Sequence, residues 1–303
     1  MKMINKSNYL DSHFKEDKKL YKSQSTLTTG LAGIDEYMSI RNGVYLLGGL
    51  PSVGKTTLAV QLADHFASVG KKVLFFSLEQ TEYDLTVKSI TRIKSKYHLN
   101  ETDAIAEYKK FSDNITTVVA ESSVTIEEIE ATLDDYINSN GYKPIVFIDY
   151  LQFIQTNGGG PKREGITKVS NALVGMSKRH GLTMFVLSSL NRMNYISQID
   201  FESFKESGSL EYDADVVFGL QYQLISDEKF IECSSVDKKR LMINDAKTQD
   251  VRKVELVCLK NRFGKIIPKC KLDYFANMET FVDSVDCDNK PNKKSGRKNV
   301  CSF

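Results

Sequence analysis

The chain has 303 residues, 41% of them apolar and 26% charged, with a formal net charge of +2. Such a chain can bury one large core flanked by short tails, and its charge excludes a global basic field, so any nucleic-acid surface must be local. No stretch approaches a membrane span, the amino terminus has no apolar signal core, and Cys233, Cys258, Cys270, Cys287 and Cys301 form no CxxC pair; a cytoplasmic protein with reduced thiols is expected.

Residues 1 to 28 are polar and charged, with Leu10, Phe14 and Tyr21 spaced to share one helical face. So thin a stripe predicts either an amphipathic helix that needs a docking surface or a frayed tail. From Val44 apolar runs alternate with helical patterns. The runs Val44–Gly48, Val73–Ser77, Thr117–Ala120, Ile145–Ile148, Met184–Leu187 and Val216–Leu220 predict strands. Ala59–Ser68, Glu82–Ser95, Thr125–Asn138 and Ile166–His180 predict the intervening helices. Apolar strands separated by helices imply a mostly parallel sheet covered on both faces. Val251–Leu259 and Lys265–Asp273 alternate around Asn261-Arg262-Phe263-Gly264, which predicts a C-terminal β-hairpin extending that sheet. Beyond Asp283, Lys290, Lys293, Lys294, Arg297 and Lys298 among Asn, Ser, Gly and Pro predict a disordered basic tail. The expected organisation is a tail over 1–28, one large domain over 29–282 and a tail over 283–303.

The segment Gly49-Leu-Pro-Ser-Val-Gly54-Lys55-Thr56 follows the first strand and opens the first helix, as a phosphate-binding loop does. Gly49, Pro51, Ser52, Val53, Gly54, Lys55, Thr56 and Thr57 are therefore candidate nucleotide-binding residues. Backbone N–H groups curl round a phosphate, Lys55 reaches the β/γ oxygens, and the Thr56 hydroxyl can ligate Mg²⁺. ATP and Mg²⁺ are the implied cofactors, and Arg92 is a further candidate for the pocket. In open α/β sheets ligands sit beyond the carboxyl ends of the strands. Two carboxylates fall at such ends: Asp149, suited to the metal's hydration shell, and Glu79, suited to orient and deprotonate an attacking water.

Five strings occur in order: Pro51-Ser-Val-Gly-Lys-Thr56, Val73-Leu-Phe-Phe-Ser-Leu-Glu79, Ile148-Asp-Tyr-Leu-Gln152, Ser189-Leu-Asn-Arg192 and Lys205-Glu-Ser-Gly-Ser-Leu-Glu-Tyr-Asp-Ala-Asp215. Together they resemble the motor domain of DnaB-type replicative helicases, over nearly everything except the two tails. The resemblance implies a RecA-like P-loop ATPase core with a mostly parallel central sheet. It further implies a homo-oligomeric ring, usually a hexamer, that hydrolyses ATP and moves along single-stranded DNA, with a primase or replication-initiation protein as a further partner. Glu79 becomes the water-activating base and Asp149 the metal-supporting carboxylate. Lys260 and Arg262 become the pair that reaches the neighbouring subunit's γ-phosphate, where a guanidinium stabilises developing charge; by residue type alone they equally suit a solvated hairpin tip. DNA contacts are expected from Lys162 and Arg163 in one Gly-rich loop and from Lys205, Glu206 and Gly208 in another. Two departures stand out. Ser189 replaces the usual Gln that senses the γ-phosphate, which leaves open whether nucleotide state is relayed to the DNA loops. The residues before the motor allow a connecting helix but not the helical amino-terminal domain of typical members. The competing reading is a RadA-like or KaiC-like switch, in which ATP governs DNA binding or assembly without processive unwinding.

Overall fold

The computed structural model describes residues 7, 10, 13–16, 18–19, 27–120, 123–155, 162–191, 195–207 and 210–284. The chain enters through a short helix α1 (Ala32–Asp35) and runs β1 (Gly43–Gly49), α2 (Lys55–Ser68), β2 (Val73–Ser77), α3 (Glu82–Tyr97), α4 (Glu101–Ser112) and β3 (Ile115–Val119). It continues through β4 (Val124–Thr125), α5 (Ile126–Asn140), β5 (Ile145–Asp149), β6 (Ile154–Gln155), α6 (Lys162–His180) and β7 (Thr183–Ser189). The last third comprises α7 (Leu210–Asp213), β8 (Val216–Tyr222), α8 (Glu228–Ile231), α9 (Val236–Thr248), β9 (Val251–Asn261), β10 (Cys270–Phe275) and β11 (Thr280–Asp283).

Nine strands form one sheet in the order β11-β10-β9-β8-β1-β7-β5-β2-β3, and β4 pairs with β6 separately. From β8 to β3 every pairing is parallel, whereas β9, β10 and β11 join antiparallel to their neighbours. Every residue of β1, β2, β5 and β8 is buried, as strands covered on both faces require. The fold is thus α/β, with the mostly parallel sheet and antiparallel C-terminal extension expected from the sequence.

The register lines up Phe75, Phe147, Phe185 and Tyr45 across four adjacent strands. Their rings stack in series, with centroids 5.5, 4.9 and 4.8 Å apart. Phe66 of α2 packs on the middle of that row, 6.2 Å from Phe147 and 5.8 Å from Phe185. Large, rigid rings in one row fix the register that brings the strand ends level.

Several helices begin where a side chain satisfies their free N–H groups. Thr81 and Asp84 form a reciprocal capping box at α3, and Thr125 and Glu128 form another at α5. The sequence reading found neither α4 nor α9, because each buries only one apolar residue, Ala104 and Ile243 respectively. It placed the second hairpin strand too early: the Asn261 side chain bonds the Lys265 carbonyl at 2.8 Å and the Phe263 N–H at 3.0 Å, and pairing resumes only at Cys270. Of the amino-terminal stripe, Leu10 and Phe14 are exposed, and Tyr21 lies outside the described residues. Cys233, Cys258 and Cys270 are free thiols. Among the described residues no helix is long and apolar enough to cross a membrane.

Phe147 is fully buried within the ring row. Phe147→Ala is expected to cost about 3–5 kcal/mol of unfolding free energy, read as a lowered urea midpoint.

Candidate functional site

Parallel register carries the ends of four strands to one edge. Gly49 is level with Ser189, Ser77 with Asp149, and Ile148 with Val186. A further bond, Leu78 N–H to the Asp149 carbonyl at 2.8 Å, keeps β2 and β5 in step past their last pair. The phosphate loop leaves β1 at this edge and turns into α2 through Gly54, whose φ of +98° is left-handed. A β-carbon there would meet Phe281 at 2.7 Å and Tyr274 at 2.9 Å, so glycine is required by space as well as by torsion. No side chain caps α2. Its first N–H groups and the positive end of its dipole therefore suit an anion.

Lys55 turns back over the loop, donating to the Gly49 carbonyl at 2.9 Å and the Leu50 carbonyl at 3.2 Å. Burial lowers its pKa, opposed by the charges of Asp149 and Glu79. The Thr56 hydroxyl donates to Asp149 Oδ2 at 2.7 Å. Asp149 is 2% exposed, and burial raises its pKa from 3.8 to about 6. The Thr56 bond opposes that shift, Glu79 adds to it, and Lys55 and Lys88 act against it. A hydroxyl and a carboxylate in contact make a hard-oxygen donor pair of the kind Mg²⁺ takes alongside phosphate oxygens. Among the described residues no group of three or more His, Cys, Asp or Glu could hold a metal. A cation at this edge would thus rest on Thr56, Asp149 and its own nucleotide. Glu79 is exposed just beyond β2, close enough for its charge to act on both Lys55 and Asp149.

The remaining loop residues divide by environment. Pro51 and Ser52 are exposed, Val53 is buried, and Ser52 adopts a φ of +62°. The Ser52 carbonyl accepts from Arg252 Nη1 at 2.9 Å and from the Tyr222 hydroxyl at 3.2 Å. Thr57 is buried and donates to Glu279 Oε2 at 2.6 Å. Gln61 of α2 exchanges two 2.8 Å bonds with the Phe281 backbone. The C-terminal strands thereby brace the loop, through Tyr222, Arg252, Tyr274, Glu279 and Phe281, none of which the sequence reading nominated. Their partners lie 170 to 222 positions away in sequence, and no local pattern announces such pairs.

Arg92 is not brought to the phosphate loop. Its guanidinium is buried against Asp64 of α2, with a 3.0 Å bond to the Glu279 carbonyl. That arrangement ties α3 to α2 and to the C-terminal turn.

Lys260 and Arg262 lie at the opposite edge of the sheet. Asn261 pairs with Val216, and Val216 with Tyr45, four residues before the end of β1. Both cations engage the end of α7: Lys260 donates to the Tyr212 carbonyl. Arg262 bonds the Asp213 carbonyl at 3.1 Å, the Tyr212 carbonyl at 3.3 Å and the Asp215 carboxylate at 3.4 Å. Asp215 itself is fixed by the Val44 N–H at 3.0 Å. Burial, then the charge of Arg262, lowers the Lys260 pKa.

Ser189 is half-buried and its N–H donates to Gln152 Oε1 at 3.2 Å, while Gln152 Nε2 donates to the Ser188 hydroxyl at 2.9 Å. A long side-chain amide thus reaches this strand end from Gln152 of the neighbouring string. Of the candidate DNA residues, Lys162 and Arg163 open α6, and Lys205 and Glu206 lie in a 3-10 turn over Phe201–Ser207. That turn is seated at the end of β7, with Asn191 N–H on the Ser203 carbonyl at 2.9 Å. Gly208, Arg192, residues 156–161 and the tail from 285 lie outside the described residues.

Comparison with known proteins agrees with this fold. The DnaB-like helicase C terminal domain matches residues 26–283. The replicative DNA helicase DnaB of Helicobacter pylori is 25% identical over 271 residues, covering 78% of this chain and 56% of that protein. The chain spans about half the length of the curated relatives it matches. Among solved structures, an ATPase domain is similar with a TM-score of 0.72 at 20% identity, over 91% of this chain and 99% of that one. A DnaB-like replicative helicase solved with attention to its interactions with primase gives 0.71 at 20% identity, over 91% of this chain and 68% of that one. At these identities the likeness concerns the fold.

Because Asp149 binds its proton more tightly in the folded state, it makes folding less favourable as pH rises from 3.8 through about 6. In EDTA without nucleotide, Asp149→Asn is expected to raise stability at pH 7.5, by up to about 3 kcal/mol, and to change it little below pH 4. Urea titrations at the two pH values measure the difference.

Proposed function

We propose that this chain, which belongs to the DnaB-like helicase C-terminal domain family, is an ATP-hydrolysing motor that assembles into a ring, with a hexamer as the expected form. The ring moves along single-stranded DNA and separates duplex. One observation carries the reading: the phosphate loop with Thr56, Asp149 and Glu79 occupies one edge of the sheet, and Lys260 with Arg262 the other. A protomer cannot fold its own strand ends onto each other, but head-to-tail copies bring one copy's Lys260 and Arg262 to the next copy's loop.

In that arrangement the α2 N–H groups and Lys55 hold the β- and γ-phosphates of ATP. Thr56 and Asp149 hold Mg²⁺, which neutralises charge on the phosphates. Glu79 orients water and accepts its proton, and the neighbour's Arg262 stabilises charge gathering on the transferred group. Residues 29–282 serve as the motor, 1–28 as a linker that packs on the adjacent copy, and 283–303 as a solvated tail. Lys162, Arg163, Lys205, Glu206 and Gly208 face the DNA backbone. A primase or replication-initiation protein is the further partner, in line with the primase interactions named for a similar structure.

Hydrolysis is expected to rise steeply with protein concentration. Arg262→Ala should bind ATP yet hydrolyse it roughly a thousandfold more slowly or worse. Mixing Arg262→Ala with Glu79→Gln should restore part of the turnover, since some seams then contain both intact halves; no restoration excludes a shared site. Strand separation on a forked substrate supports the motor. DNA-stimulated hydrolysis without separation replaces it with the switch reading.

A further inference from the structure

Glu279 stands in the turn between β10 and β11 with φ +48° and ψ +42°, a left-handed conformation that suits glycine or asparagine. A residue needed only to turn the chain there has no reason to be glutamate. Its side chain is nevertheless fully engaged. Oε2 accepts from Thr57 Oγ1 at 2.6 Å and from the Tyr274 hydroxyl at 3.5 Å, while Oε1 meets Lys88 Nζ at 3.2 Å. Its carbonyl accepts from Arg92 Nη1 at 3.0 Å. The carboxylate and Lys88 side chains are 23% and 18% exposed, so the pair is largely shielded from solvent.

Two of these contacts bear on the nucleotide site. Thr57 is buried in the first turn of α2, next to Thr56 and two residues from Lys55. Lys88 of α3 is among the charges acting on Asp149. A single carboxylate therefore fixes the helix turn on which Lys55 and Thr56 ride, and also a cation whose charge acts on Asp149.

We propose that Glu279 is a positioning residue of the nucleotide site, its carboxylate holding the first turn of α2 through Thr57 and holding the Lys88 ammonium in place. The inference rests on the nucleotide-binding reading of the phosphate loop given above. It differs from a plain structural cap in one respect. Glu279→Gly relieves the left-handed backbone and removes the carboxylate, so stability and nucleotide affinity should move apart.

The test titrates the full chain with a fluorescent ADP analogue and Mg²⁺, and follows thermal unfolding of the same samples without nucleotide. Glu279→Gly should melt close to the wild-type temperature, the relieved backbone offsetting the lost contacts, while its dissociation constant rises about tenfold, as loss of a charge-assisted contact implies. Glu279→Gln keeps an oxygen for Thr57 and loses only the charge. It should weaken binding by a smaller factor, and should add nothing in a Lys88→Gln background. Unchanged affinity in both Glu279 variants overturns the proposal while leaving the nucleotide reading intact. A Glu279→Gly chain that unfolds, with normal binding by Glu279→Gln, marks the residue as a structural cap and also overturns it. A wild-type chain that binds no analogue removes the nucleotide reading itself, and the role of Glu279 falls with it.

Discussion

The 2.7 Å bond between Thr56 and Asp149 joins residues 93 positions apart, and it exists because parallel strands finish level with one another. Three steps of pairing separate the loop strand from β2: β1 with β7, β7 with β5, and β5 with β2. A slip of one residue at any of them would move each side chain to the opposite face of the sheet, against the wrong packing partners. The stacked rings of Tyr45, Phe185, Phe147 and Phe75 oppose such a slip, because every ring would lose its neighbours together. Core packing and site geometry are in this sense one constraint.

That geometry sets the electrostatics of the edge. Burial drives Asp149 toward its protonated form and Lys55 toward its neutral form, while each opposes the shift of the other. Charges in so shielded a place act strongly on whatever enters, since little water intervenes. The opposite edge is organised differently. There Lys260 and Arg262 rest on backbone carbonyls at the end of α7 and on Asp215, with half of the Arg262 side chain exposed. Cations held in place yet open to solvent are suited to receiving a charged group from outside the chain.

Much of this was legible in the amino-acid order. The phosphate loop is contiguous, so its chemistry can be read from eight residues. The apolar runs of β2 and β5 ended in Glu79 and Asp149, and the rule that ligands gather at carboxyl ends joined them to the loop. The helix predicted from Glu82 does begin there, behind the capping box of Thr81 and Asp84. Elements with little apolar burden escaped notice, as α4 and α9 did, because periodicity is visible only where a face is buried. The brace of Arg252, Tyr274 and Glu279 escaped for another reason. Its residues act across strands that meet only after folding, and a charged residue in a turn looks solvated until its partner is known. Arg92 shows the reverse case: an arginine named for the pocket is engaged by Asp64 and the Glu279 carbonyl.

Strand β9 has a mechanical consequence. It runs for 11 residues between two paired neighbours, a reach of roughly 33 Å at ordinary strand rise. Near one end Arg252 grips the phosphate loop through the Ser52 carbonyl; at the other stand Lys260 and Arg262. The strand is paired over its whole length, with β10 from Val251 to Leu256 and with β8 from Val254 to Asn261, so it resists bending and compression and behaves as a rod. In a closed assembly of such copies, each rod would join the pocket its own chain builds to the pocket it completes next door. In the motor proposed above, the stiffness of this strand would couple each pocket directly to the next.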